Sequence, residues 1–248
     1  MTRRTVRLLL IASVLACGTV LAQEWTLDVL TGTSVHAPND LVVFQQGHGA
    51  VTIEDARYRT NAWVNASSLL GLTENYYAVR IGYFPQTARV GRVDVGYEIE
   101  LLHDKAYFQS GVDPDGIVER FELSDGLNQV LANVVLRTPL LADERLPDGR
   151  LHLLARAGVG PAVTAPASVV RGLEDGTRTH LGTEGYYWLA GPSLQVAGQA
   201  RWYLTRFLAT SVEVKGTLAH TVNPVADGWA RAAFAGLHVD VGVTLHLR

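Results

Sequence analysis

Long stretches of alternating apolar and polar residues, an export signal at the N-terminus and a near absence of lysine together predict the fold class of this chain. They predict an all-β protein, an eight-stranded antiparallel transmembrane β-barrel with short periplasmic turns and longer extracellular loops. Alternation is clearest from Leu237 to Arg248, where every odd position is Leu or Val and every even one is His, Asp, Gly, Thr or Arg. Successive side chains of a strand point to opposite faces, so this segment has one wholly apolar face and one polar face.

Residues 1–22 read as a signal peptide. Arg3, Arg4 and Arg7 form a basic start, Leu8 to Ala16 an apolar stretch, and Val20 and Ala22 place small residues before a cleavage site. The apolar stretch is shorter than the roughly 20 residues a membrane helix needs. A competing reading takes Val14-Leu-Ala-Cys17 as a lipid-attachment box, into which Leu15 fits poorly. Cleavage after Ala22 removes three arginines and takes the net charge from −3 to −6. It also removes Cys17, the only cysteine, which excludes disulfides and thiolate metal sites from the remainder. Residues 23–248 then form one β domain. Its only lysines are Lys105 and Lys215, against 19 arginines in the whole chain, which suits a surface that largely does not face water.

Eight strand segments follow in order. They are Trp25 to Gly32, Tyr76 to Phe84, Val93 to Tyr107, Val118 to Arg137, Leu151 to Val163, Tyr186 to Tyr203, Arg206 to His220 and Trp229 to Leu247. Connections after the second, fourth and sixth are compact and predict periplasmic turns; those after the first, third, fifth and seventh are expected to be longer, notably Val35 to Asn75 and Thr164 to Gly185. Alternation does not by itself say which face points outward, because a soluble lipocalin-like barrel buries its apolar face. The polar face favours the membrane reading. Asp94, Glu98, Glu100 and Glu213 share it with Arg80, Arg156, Arg201 and Lys215, and equal numbers suit a closed, ion-paired lumen. Trp25, Tyr83, Tyr186, Trp188, Trp202 and Trp229 are expected in interfacial girdles. A barrel of this size has an interior that side chains fill, so chemistry is expected at the outer rim or on the lipid-facing wall.

His36, His48, His103, His180 and His220 fall near the predicted outer end, without the spacing of a metalloprotease motif. Gln45-Gln-Gly-His-Gly49 lacks the strand–turn–helix setting of a nucleotide loop and reads as flexible loop. Two clusters carry more. In Leu102-His103-Asp104-Lys105 an apolar strand face gives way to three ionisable residues. In Phe121 to Asn128 the apolar phase shifts from odd to even, which predicts a β-bulge near Asn128. The two segments are neighbours in a meander, so Asp104, Lys105, Asp125 and Asn128 are expected to meet.

These clusters also carry a family resemblance. His36 after the first strand, Tyr76-Tyr-Ala-Val-Arg80, His103-Asp-Lys105, Phe121-x-x-Ser-Asp-Gly-Leu-Asn128, Gly185-Tyr, Gly191-Pro192 and Glu213-Val-Lys-Gly-Thr217 resemble the lipid A oxidase family of outer-membrane barrels. The resemblance implies oxygen-dependent oxidation of the proximal glucosamine of lipid A to 2-aminogluconate. It implies His36, His103, Asp104, Asp125 and Glu213 as catalytic residues and Lys105, Asn128 and Lys215 as substrate contacts. Molecular oxygen is the expected oxidant, with a divalent metal on His36, His103, Asp104 and Asp125 as the simplest activating agent. Lys105, Arg120, Arg171 and Arg178 could meet the phosphates of lipid A. The expected partners are lipopolysaccharide and the outer membrane, with no nucleic acid and a monomeric chain. Two alternatives stay open: a lipid A deacylase, whose neighbouring His-x-Ser pair is missing at His220-Thr-Val222, and a non-enzymatic structural or adhesive barrel.

Overall fold

A computed structural model describes residues 24–60, 76–85, 88–113, 115–175, 179–180, 183–184 and 187–247. The segment read as a signal peptide, Arg178 and Tyr186 lie outside the described residues. Eight long strands form the wall: β1 (Glu24–His36), β2 (Tyr77–Phe84), β3 (Val93–Val112), β4 (Val118–Leu140), β5 (Leu151–Thr164), β6 (Trp188–Tyr203), β7 (Leu208–Val225) and β8 (Gly228–Leu247). Each pairs antiparallel with the next, and β8 closes the ring on β1, from Trp25 opposite Leu247 to His36 opposite Gly236. Closure removes the unpaired edges that an open sheet would expose.

Side-chain direction settles the choice between a soluble and a membrane barrel. On β8, Leu237, Val239, Val241, Val243, Leu245 and Leu247 face outward, while His238, Asp240, Thr244 and His246 are buried in the lumen. The same polarity holds on β3, where Tyr97, Ile99 and Leu101 are exposed and Glu98 and Glu100 buried, and on β7, where Val212 and Val214 flank buried Glu213. A continuous apolar belt of this kind is untenable in water and matches the hydrocarbon core of a bilayer. Aromatic side chains mark one rim of the belt: Trp25 packs on Tyr83 with ring centroids 4.9 Å apart, and Trp202 and Phe207 stand exposed nearby in sequence on the same side. Trp188 is exposed at the other end. Trp229, expected in a girdle, instead stacks on Phe44 at 5.7 Å, above the belt.

The outer connections depart from expectation. Only those after β1 and β5 are long; the connection after β3, also expected to be long, spans just residues 113–117 because β3 runs on to Val112. β7 and β8 are joined by Ala226-Asp227 alone, with Asp227 at a φ of 56°, because β7 runs on to Val225 rather than ending at His220, while β8 begins at Gly228, one residue before the expected Trp229. Residues 37–60 of the first connection are built mostly into strands rather than an irregular loop. It contains a hairpin, Asn39–Gln45 with Gly49–Arg59, whose tip is the segment read as flexible. Gly47 and Gly49 take φ values of 83° and 74° there, a region where glycine carries no steric cost. This hairpin extends the wall above β1 and β2: its first strand pairs with Gly228–Arg231 of β8 and its second with the outer end of β3. A smaller hairpin, Ala167–Val170 with Leu173–Asp175, pairs with the start of β4.

These extensions form a crown with its own apolar core. Leu41, Val43 and Ile53 of the hairpin pack with Phe121, Leu123 and Leu127 of β4, Val225 of β7 and Phe234 of β8. The predicted bulge lies at the base of the crown. Lys105 interrupts the register of β3 opposite residues 124–126 of β4, and Gly126 has a φ of 133°, which L side chains rarely adopt. At the opposite end, the β4–β5 turn is fastened by Asp143, which accepts from Arg150 at 2.7 Å and from the backbone of Leu146 at 2.8 Å. The Arg150 guanidinium holds its carboxyl below the usual carboxylate range.

Placing Val241, midway along the exposed face of β8, next to lipid makes a direct prediction. Val241→Arg should lower the unfolding free energy in lipid vesicles by about 2–4 kcal/mol, as a cation at the bilayer midplane does. Urea unfolding followed by gel mobility measures it. An unchanged midpoint would show that this face does not meet hydrocarbon.

Candidate functional site

The lumen is built in layers. Because one-residue alternation sends every second side chain inward, Asp28 of β1, Arg80 of β2, Glu98 and Glu100 of β3, Arg156 of β5, Arg201 of β6 and Glu213 and Lys215 of β7 all reach the same narrow interior. Glu100 accepts from Arg80 Nε at 2.8 Å, Lys215 Nζ at 2.5 Å, Gln195 at 2.6 Å and Asn133 at 3.1 Å. Glu213 takes Arg80 Nη2 at 2.5 Å, Lys215 at 3.3 Å and the guanidinium of Arg156. Arg156 also donates to Glu98 at 2.9 Å, and Arg201 to Asp28 at 2.7 Å. Charges this deep persist only because each meets an opposite charge and further hydrogen bonds.

Toward the periplasmic end Arg137 bonds Asp94 at 3.1 Å and also Glu24, with its guanidinium 4.0 Å from the centre of the Phe84 ring. Asp94, expected in the central network, belongs to this lower layer and also meets Arg89 at 2.7 Å. Asp28 and Asp240 occupy the centre instead. Asp240 lies 3.5 Å from Lys215 and accepts from Tyr76 Oη at 3.2 Å.

Above the network, just under the crown, sits a buried cluster around Asp104. Its Oδ1 accepts from Ser34 Oγ at 2.7 Å and from the backbone N–H of Lys105 at 2.8 Å. Its Oδ2 lies 3.2 Å from His36 Nε2 and 4.0 Å from His238 Nδ1. His238 is turned by Thr217, whose Oγ1 is 2.8 Å from Nε2, and packs against Tyr76 with ring centroids 5.5 Å apart. Phe234 covers His36 from the crown side.

The residues expected to converge at one rim are divided between the two faces of the wall. His36 and Asp104 meet inside. His103 lies on the other face of β3, where its Nδ1 is 2.6 Å from Asn128 Oδ1 and its ring stacks on Tyr77 at 4.8 Å. Asp125 projects from the bulge into solvent, so the proposed metal ligands His36, His103, Asp104 and Asp125 do not assemble. Lys105 is buried in the bulge and is itself partnered. Glu213 and Lys215 lie in the ion-paired layer, away from any rim. Of the arginines expected to face phosphate, Arg120 pairs with Glu174 at 2.5 Å and Arg171 donates to Gln45 at 2.8 Å. His48 and His220 are exposed. The sequence reading missed His238, Asp240, Ser34 and Tyr76 as partners of the cluster. The signal was present for two of them: His238 and Asp240 share the polar parity of β8.

No protein-family model matches the chain, and no curated protein matches it in sequence. Solved structures do match in shape. Neisserial surface protein A is similar at 8% identity, over 90% of this chain and 96% of its own, with a TM-score of 0.41. The outer membrane protein OprG from Pseudomonas aeruginosa gives 7% identity, 92% and 97% coverage and a TM-score of 0.46. The outer membrane protease OmpT from Escherichia coli gives 9%, 92% and 99%, and 0.41. At such values the fold rests on this chain's own topology: a closed ring of eight antiparallel strands with an apolar belt outside and charge inside. That architecture makes the chain an outer-membrane β-barrel.

The network predicts its own energetics. Glu100→Ala leaves Lys215 and Arg80 each short of a buried partner, which costs about 3–5 kcal/mol. Denaturant unfolding in detergent should show the loss, and a shift of less than about 1 kcal/mol would mean that water solvates the lumen.

Proposed function

We propose that this chain is a non-enzymatic outer-membrane barrel, closed to solutes, which holds a rigid β-extended crown at the cell surface. One observation carries the reading: the lumen holds two stacked fillings, the ion-paired layer around Glu100 and Glu213 and the apolar crown core around Phe121 and Phe234. A continuous aqueous path would have to break both. Of the ionisable residues that enzyme chemistry would recruit, Glu213 and Lys215 are ion-paired within the lower filling and Asp104 pairs with His36 just above it, while His103 pairs with Asn128 on the other face of β3. The crown, braced by its hairpins on β3, β4 and β8, is the part offered to the outside.

A second reading, the lipid A oxidase, is favoured by one specific feature. Asp104 and His36 form a buried carboxylate–imidazole pair, and His103 and Asn128, from the same resembling motifs, pair across the bulge on the other face. One experiment separates the readings. The protein is expressed in a host with unmodified lipid A, with and without oxygen, and the extracted lipid is weighed by mass spectrometry. The structural reading expects no change of mass, together with no single-channel conductance in planar bilayers. An oxygen-dependent gain of one oxygen atom, lost in Asp104→Ala, would overturn it in favour of the oxidase; loss of an acyl chain would indicate the deacylase.

A further inference from the structure

We infer that the outer wall of β7 and β8, just above the apolar belt, binds the phosphate headgroup of an outer-leaflet lipid, with Arg231 and His220 as its phosphate contacts. Register brings the two together. Arg231 lies opposite Val222 and His220 opposite Ala233, so the basic side chains are diagonal neighbours on the outward face. Long side chains at such positions reach a common point. Both are exposed, and among the described residues neither makes an ion pair or a side-chain hydrogen bond. Arg120 and Arg171 differ, being engaged with Glu174 and Gln45. A guanidinium takes phosphate through two parallel N–H···O bonds, and an imidazole N–H adds a third donor.

Aromatic side chains frame the pair. Above it, Trp229 stacks on Phe44 of the first-loop hairpin with their planes 17° apart, and both rings are partly exposed. Beside it, Trp188 of β6 stands exposed and is fixed by its indole N–H, which donates to the Val222 carbonyl at 2.9 Å. Such amphipathic rings favour the headgroup level of a bilayer. Below Arg231, the next outward positions of β8 are Ala233 and Ala235, both small and exposed. They lead down to Leu237 and, on β7, to Leu218. The wall is therefore low along the path that the glycerol backbone and upper acyl carbons of a lipid would follow from the belt to Arg231.

This continuity with the belt selects a lipid over a dissolved anion. An anion from solution would approach past the crown, whose exposed Glu54, Asp55, Asp115, Glu119 and Asp125 repel it. A lipid arrives sideways within the bilayer and brings apolar surface to cover the alanines and the aromatic frame. Asp40 of the hairpin shares the outward face and pairs with neither base, which leaves the Arg231 charge to the headgroup.

The test uses the full chain refolded in uncharged detergent, with lipid binding followed by native mass spectrometry. Dioleoyl phosphatidic acid should bind at roughly one molecule per chain and about 10-fold tighter than dioleoyl phosphatidylcholine, which has the same acyl chains and no net charge. Arg231→Gln should remove about 10-fold of that affinity, as loss of a charged hydrogen-bonding partner does. Arg57→Gln, at an exposed arginine elsewhere on the crown, should leave it unchanged. Arg231 is on the surface, and retained heat-modifiable gel mobility checks that the variant folds. Equal affinity for the two lipids, full binding by folded Arg231→Gln, or an equal loss in Arg57→Gln would each overturn the site. Glycerol 3-phosphate bound as tightly as phosphatidic acid would also overturn it, since the wall would then hold a soluble anion without using the lipid.

Discussion

The carboxylates of Glu100 and Glu213 hold the rest of this structure in place. Between them they take the charges of Arg80, Arg156 and Lys215, and so tie β2, β3, β5 and β7 together across the lumen. The constraint works through register. Slipping a strand by one residue would exchange its two faces, sending Arg80 into lipid and Val79 or Ile81 into a field of unpaired acids. Lipid on one side and buried charge on the other penalise the same error, so the belt and the network specify one pairing jointly.

Above the network the wall changes character without changing fold. β3, β4, β7 and β8 continue past the apolar belt, and the first-loop hairpin fills the gap left by the shorter β1 and β2. The interior there is packed with Leu, Ile, Val and Phe, as in a water-soluble barrel. The chain therefore reverses its inside–outside polarity near the level of Asp104. That boundary is where the bulge at Lys105, the left-handed Gly126 and the His36–Asp104–His238 cluster all occur. The charged column ends there in a carboxylate flanked by two imidazoles, and Phe234 packs on the His36 ring from the apolar side.

Most of the barrel was legible in the sequence because period-two alternation is a local signal. The apolar face of β8 could be read residue by residue, and the phase change in β4 located the bulge to within a few positions. The crown was not legible. Its hairpin strands, such as Asn39–Gln45, are short, and what holds them is pairing with segments far away in the chain, Gly228–Arg231 and the end of β3. The candidate site was half legible for a related reason. His36 and Asp104 stood out near the expected rim, but on β3 the adjacent residues His103 and Asp104 point to opposite faces, and nearness in sequence there means separation by the wall. His238 and Asp240 carried the correct parity, yet their partners on β1, β2 and β7 follow from ring closure, which a single strand does not reveal.

The claim that a paired, water-free lumen holds the barrel is tested most directly by a double-mutant cycle on Arg156 and Glu98, which meet at 2.9 Å between β5 and β3. Arg156→Met, Glu98→Gln and the double variant are unfolded by denaturant in detergent, and the coupling energy is taken from the cycle. A dry ion pair predicts single losses that exceed additivity, with a coupling of about 1–3 kcal/mol. Losses that add to within about 0.5 kcal/mol would contradict the account, because they would place both charges in water.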